Sequence, residues 1–209
     1  MKQTAVFAAG CFWGVQDKYD KTTGVLKTTA GYCGGEYENP SYNTVSLGIT
    51  GHAESVKVEY DQKKTSFKNL VKKFFEIHDP TTKDRQGPDI GSQYRSVIFF
   101  NTKEEEKEAK QEAKNTSKKL GKQVVTQIVQ KTSFYDAEEY HQNYAKKHPH
   151  SMGEWSSDSK THVASMSHGD FKSNEKSLTM ANADDIRIEL VGNNGETLIL
   201  KDKVALQKE

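Results

Sequence analysis

The chain has 209 residues, of which 33% are hydrophobic and 28% charged, with a formal net charge of +1. That balance suits one ordinary globular domain with an appendage, and the lack of a basic cluster argues against nucleic acid or an anionic membrane as partner. Cys11 and Cys33 are the only cysteines, which excludes a disulfide-rich scaffold and an all-cysteine zinc site and fits a reducing, cytoplasmic setting.

Ala8-Ala9-Gly10-Cys11 looks superficially like a lipoprotein cleavage site. The apolar run before it covers only residues 5–9, too short for a signal peptide. No stretch approaches the ~20 apolar residues of a membrane span. A removed leader ahead of Met1 is compatible with this reading.

Residues 4–9 are small and β-branched and predict a strand that stops at Gly10. Phe12, Val15 and Tyr19 recur at helical spacing, so 12–19 is expected as a helix. Residues 25–32 return to extended structure before Gly34-Gly35, and 36–51 is expected as an ordered loop. In 55–60, Val56, Val58 and Tyr60 alternate with polar residues, the pattern of a half-buried strand. Residues 66–77 place Phe67, Leu70, Val71, Phe74 and Phe75 on one helical face. A long polar loop, 79–93, precedes a strand at 94–100. Then come a charged, solvated helix at 102–120, a strand at 124–129 and a last helix at 136–147.

Alternating strands and helices with short connections predict an α/β fold, a two-layer α/β plait with a ferredoxin-like core. The expected division is a catalytic domain over 1–155 and an extension over 156–209. Residues 156–182 read as a polar linker. Residues 186–190 and 197–200 alternate around Gly192-Asn193-Asn194-Gly195, a β-hairpin signal.

Cys11 follows a strand and a glycine and opens a helix. Free N–H groups and the helix dipole favour an anion there, which would lower the thiol pKa and make a nucleophile. An inert buried cysteine fits the local sequence equally well. Phe12 and Trp13 could wall a pocket for a soft S-methyl group, or they could be ordinary core. Glu54, at a strand start, reads locally as a surface residue.

Five segments settle more than any one residue does: Gly10-Cys11-Phe12-Trp13-Gly14, Gly31-Tyr32-Cys33-Gly34-Gly35, Asn39-Pro40-Ser41-Tyr42, Gly51-His52-Ala53-Glu54 and Asp89-Ile90-Gly91-Ser92-Gln93-Tyr94-Arg95-Ser96. With Tyr140-His141-Gln142-Asn143-Tyr144, they occur in the order and at the spacing of the peptide methionine sulfoxide reductase A family, which the chain resembles over residues 4–153. The resemblance implies reduction of methionine S-sulfoxide, free or in proteins, as repair of oxidative damage. It implies that Cys11 attacks the sulfoxide sulfur and Glu54 supplies the proton. Tyr42 and Tyr94 would donate hydroxyls to the sulfoxide oxygen, Asp89 would orient water and the site, and Phe12 and Trp13 would cradle the ε-methyl. Cys11 would be left as a sulfenic acid, with no metal or other cofactor needed.

His52 and His141 are expected to make structural hydrogen bonds, and His148-Pro149-His150 is a weak case for a metal. Family members often carry recycling cysteines near the C-terminus, and none follows Cys33 here. Regeneration is therefore expected from an external thiol, glutathione with glutaredoxin, acting on a monomer. The alternative is Cys33 as resolving thiol, with thioredoxin as partner. A non-catalytic binder of oxidised or methionine-rich peptides would not need Cys11 and Glu54. A thiol peroxidase would not need the aromatic pocket.

Overall fold

A computed structural model describes residues 1–149 and the strand segments 186–191 and 197–202. Strand β1 (Lys2–Ala9) lies between β3 (Ala53–Asp61) and β6 (Ser96–Phe100), antiparallel to both. Its alternation therefore serves two buried faces rather than one. Ala5, Phe7 and Ala9 point into the main core, and Val6 and Ala8 into a smaller one with Cys33, Ala53, Val97 and Phe99. Strand β2 (Val25–Cys33) pairs with the outer side of β3. The full sheet has six strands in the order β7-β6-β1-β3-β2-β8, where β7 is Gln127–Gln130 and β8 is Phe134–Asp136. Only β6 and β7 run parallel.

Helix α1 (Phe12–Asp20) buries Phe12, Val15, Gln16 and Tyr19 against this sheet. Phe7 stacks on Tyr19 at 5.1 Å, and the Tyr19 hydroxyl donates to the Leu70 carbonyl at 3.1 Å. Leu70 belongs to α3 (Phe67–Glu76), which is capped by Ser66 and buries Phe67, Leu70, Val71 and Phe74. Helix α4 (Lys103–Leu120) starts at the Thr102 cap. It has Glu104–Glu106 in its first turn and lysines in its last, and it ends at left-handed Gly121. Of its residues only Ala109 and Thr116 are buried, as a solvated helix requires. The mixed α/β expectation thus holds.

Several local expectations do not. Within 36–51 the chain forms a short helix, α2 (Tyr42–Ser46), closed by a capping box between Ser41 and Thr44. In the 79–93 loop, β4 (Arg85–Gln86) and β5 (Asp89–Ile90) make a minimal hairpin. Tyr94 ends a 3-10 turn (Ser92–Tyr94) instead of opening β6. The 124–129 strand starts late, because Val124 and Val125 donate to Ser117 and Pro80 rather than to the sheet.

The largest departure is 136–147, expected as one helix. It is the end of β8, a 3-10 turn (Glu139–His141) and a single helical turn, α5 (Tyr144–Lys147). Asn143 between them is left-handed, φ 55°. Gln142 explains the break. Its side chain bonds the Ala30 N–H and carbonyl and the Ala137 carbonyl, each at 2.9 Å, and so ties the segment to β2.

By contact the chain divides into two units, Met1–Thr161 and His162–Glu209. In the second, β9 (Ile186–Val191) and β10 (Thr197–Asp202) pair antiparallel. The expected linker at 156–182 and the hairpin's turn lie outside the described residues. Among the described residues, no helix is long and apolar enough to cross a membrane.

Candidate active site

Gly10 makes the corner between β1 and α1. Its φ of +89° favours glycine, and a Cβ there would sit 2.6 Å from the Gln86 side chain. The corner puts Cys11 at the N-cap of α1, partly exposed. Phe12 is 1% exposed and belongs to the main core. Its backbone N–H, one of the unpaired donors of the first turn, donates to Glu54 Oε2 at 3.0 Å.

Glu54 therefore faces the helix start from β3, on the same sheet face as its cross-strand partner Tyr32. It is 1% exposed. Burial raises its pKa to about 8, against the lowering by the Phe12 N–H, with the Asp89 charge adding to the rise. A strand-start glutamate that reads as a surface residue is thus a buried carboxyl that keeps its proton near neutral pH. The strand's alternation points it inward, between Ala53 and Ser55 on the other face.

The Cys11 thiol is a correction. The Trp13 and Gly14 N–H groups do lower its pKa, as its place at a helix start predicts. Burial outweighs them, and the Glu54 and Asp89 charges push the same way, so the pKa lies above the ordinary thiol value.

Tyr42 reaches the site from the start of α2 and Tyr94 from the end of its 3-10 turn. Burial raises both hydroxyl pKa values, Glu54 adds to each, and Asp89 and Cys11 also act on both. Both hydroxyls stay protonated and able to donate. Cys11, Glu54, Tyr42, Tyr94 and Asp89 thus share one site, drawn from five separate segments.

One wall is aromatic. Trp13 stacks on Tyr144 with centroids 3.7 Å apart, and its indole N–H donates to His141 Nδ1 at 3.1 Å. That bond leaves the imidazole proton on Nε2. His141 packs on Tyr42 at 4.3 Å and on Phe12 at 5.1 Å. The structural bonding expected of His141 is present. His52 is buried, which lowers its pKa, and a hydrogen bond with the Thr50 backbone raises it in part. It also packs edge-on to Tyr135.

Cys33 is fully buried, in the smaller core on the opposite sheet face from Glu54. Its sulfur lies 3.8 Å from the Thr132 hydroxyl. Among the described residues no group of three or more His, Cys, Asp or Glu could hold a metal ion.

Sequence reasoning missed three supporting side chains. Glu138 accepts from the Tyr32 hydroxyl at 2.7 Å and from the Tyr42 N–H at 2.8 Å, which anchors the start of α2. Gln142 fastens the segment that carries His141. Gln16 accepts from the Asn143 N–H at 2.8 Å and is 1% exposed. Gln16 had a legible signal, a polar residue on the buried stripe with Phe12, Val15 and Tyr19. Glu138 had none.

A helix-start thiol beside a protonated carboxyl, two tyrosine hydroxyls and an aromatic wall is the equipment of a thiol-dependent reductase of a soft, polar-tipped substrate. The family model for peptide methionine sulfoxide reductase matches residues 3–174. A peptide methionine sulfoxide reductase MsrA from Methanothermobacter thermautotrophicus is 47% identical over 149 residues, 70% of this chain and 88% of the relative. Reduced Mxr1 from Saccharomyces cerevisiae superposes with a TM-score of 0.69 at 38% identity, covering 73% of this chain and 88% of that one. Mxr1 in complex with Trx2 matches with a TM-score of 0.51 at 29% identity, covering 69% and 85%. The chain belongs to the peptide methionine sulfoxide reductase A family. It is an oxidoreductase that returns methionine sulfoxide to methionine.

Proposed function

We propose that Cys11 is the nucleophile and Glu54 the proton donor, acting on the S-sulfoxide epimer. The observation that carries this is the raised pKa of Glu54, about 8, directly beside the helix start that holds Cys11. A sulfoxide oxygen leaves only when protonated, and Glu54 holds a proton at neutral pH. Because an ionised Glu54 raises the Cys11 pKa, the pair shares its protons. The carboxyl form of one favours the thiolate of the other. Tyr42 and Tyr94 donate to the oxygen, and Asp89 orients the site. The Trp13 face receives the ε-methyl, with Phe12 packed behind it. In net, the oxygen passes from substrate to Cys11. The substrate sulfur gains two electrons and the thiolate sulfur loses two, leaving methionine and a Cys11 sulfenic acid.

Regeneration is assigned to an external thiol, glutathione with glutaredoxin. Cys33 supports this by its position, sealed in the core on the far side of the sheet. The complex of Mxr1 with Trx2 makes thioredoxin the competing donor. The test is to supply one equivalent of methionine sulfoxide without reductant, then count thiols and record the intact mass. The expected product carries a sulfenic acid on Cys11 with Cys33 free. A Cys11–Cys33 crosslink in the peptide map would overturn it in favour of thioredoxin.

The enzyme is read as a cytoplasmic monomer with its catalytic domain over 1–155 and an extension over 156–209. The core is read as a two-layer plait. The order β6-β1-β3-β2, all antiparallel and linked through α1 and α3, supports that reading.

A further inference from the structure

Tyr42 enters the site from α2, a helix of five residues, too short to hold its own shape. Its start is set from outside. Tyr42 is the first helical residue, so its N–H has no partner within the helix, and Glu138 Oε1 accepts from it at 2.8 Å. The other carboxylate oxygen, Oε2, accepts from the Tyr32 hydroxyl at 2.7 Å. Tyr32 is fully buried, lies opposite Glu54 in the β2–β3 register and packs on the Phe12 ring at 5.9 Å. One carboxylate thus links the sheet that carries Glu54 to the helix that carries Tyr42. Glu138 also opens the 3-10 turn to His141. The His141 N–H donates to the Glu138 carbonyl at 2.9 Å, and the His141 ring packs on the Tyr42 ring. The side chain of Glu138 therefore fixes the backbone under Tyr42, and its main chain fixes the ring beside it. Burial would raise the Glu138 pKa, but the Tyr42 N–H and the Tyr32 hydroxyl help to outweigh it, so the bridge is an ionised carboxylate.

We propose that Glu138 is a positioning residue for the reductase step: by bridging Tyr32 and the Tyr42 N–H, it registers the Tyr42 hydroxyl against the Glu54 carboxyl. The inference rests on the reading that Tyr42 donates to the sulfoxide oxygen. Two groups then serve that oxygen, one from α2 and one from β3, and both must reach it at once. Misplacing one of them by ~1 Å costs about 10²-fold in rate. Glu138 acts through Tyr42 and not on the substrate, so its removal can cost no more than removal of the Tyr42 hydroxyl itself.

The test follows single turnover of the full chain with saturating N-acetylmethionine sulfoxide. Tyr42→Phe is expected to slow the step about 10²-fold, the weight of one donor to a developing charge. Glu138→Ala should slow it at least about tenfold but no more than Tyr42→Phe does, with half-saturation within about twofold of wild type. Added to Tyr42→Phe, Glu138→Ala should cost less than about twofold further, because the group it positions is already gone. Glu138→Gln should recover a rate within about threefold of wild type, since its amide oxygen accepts the Tyr42 N–H and its amide N–H can donate to the Tyr32 oxygen. If Glu138→Ala does not fold by circular dichroism, Tyr32→Phe, which cuts the bridge at its other end, carries the same comparison in the two backgrounds. Equal slowing with and without the Tyr42 hydroxyl would make the bridge merely structural and overturn the proposal. So would a Glu138→Gln variant as slow as Glu138→Ala, which would assign the effect to charge. A slow Tyr42→Phe beside a fast Glu138→Ala overturns this proposal alone, whereas a Tyr42→Phe as fast as wild type sinks the Tyr42 reading and this one with it.

Discussion

On the Cys11 sulfur, two backbone N–H groups favour the thiolate, and burial with two carboxylates opposes it. Burial, the largest of these, keeps the resting thiol protonated, and Glu54 adds to it where it ionises, above about pH 8. Cys11→Ser is expected to abolish reduction while leaving the circular dichroism spectrum unchanged; substantial residual turnover would remove Cys11 from its role. Glu54→Gln should slow the single-turnover step by about 10²–10⁴-fold, the usual weight of general acid catalysis. The same variant removes the charge that raises the thiol, so its Cys11 should alkylate with iodoacetamide at lower pH than wild type does. Peptide mapping separates Cys11 from sealed Cys33, and an unshifted alkylation profile would mean that the two groups are not coupled.

The wall of the site depends on one short segment, 138–144, that is neither strand nor long helix. Gln142 fastens it to β2 through two hydrogen bonds to Ala30, adds a third to the Ala137 carbonyl, and Gln16 of α1 holds the next residue. Together they aim His141 at the Trp13 indole. Gln142→Ala should lower unfolding free energy by about 1–3 kcal/mol, the cost of leaving buried backbone groups unpaired. It should also reduce kcat/KM, since the His141 wall loses its anchor. Urea unfolding and steady-state assays read the two effects separately. Wild-type values in both would show that the segment holds without Gln142.

For the whole molecule, burying Glu54 is a cost that depends on pH. Its pKa is raised from 4.5 to about 8 on folding. Below pH 4.5 both states are protonated and nothing is lost. Between 4.5 and 8 the unfolded chain ionises and the folded one does not, so stability falls as pH rises, then levels off. The full effect is on the order of 5 kcal/mol at about 1.4 kcal/mol per pKa unit. Wild type should therefore lose stability relative to Glu54→Gln between pH 4.5 and 8.5 in urea titrations, and parallel pH curves would contradict the shift. Truncation after Ser156 should keep sulfoxide reduction within a few-fold, since every site residue lies within 1–149. A truncated protein that folds by circular dichroism yet fails in single turnover would assign the extension a catalytic part.

Strands at 4–9 and 55–60, and helices at 12–19, 66–77 and 102–120, were legible because each carries its own hydrophobic period or caps. The motifs around Cys11, Glu54, Tyr42, Asp89 and Tyr94 were legible too, as chemistry that fits one family. Segment 136–147 was not, because distant side chains on β2 and α1 hold it and nothing in its own period does. The protonation of the site was decided by tertiary structure alone. At Cys11 the helix start argues for a low pKa, and only the folded chain places Glu54, Asp89 and an apolar surround there to reverse it. At Glu54 the local pattern argues for a solvated carboxylate. Burial behind α1 keeps its proton instead, because ionisation costs most where water is excluded.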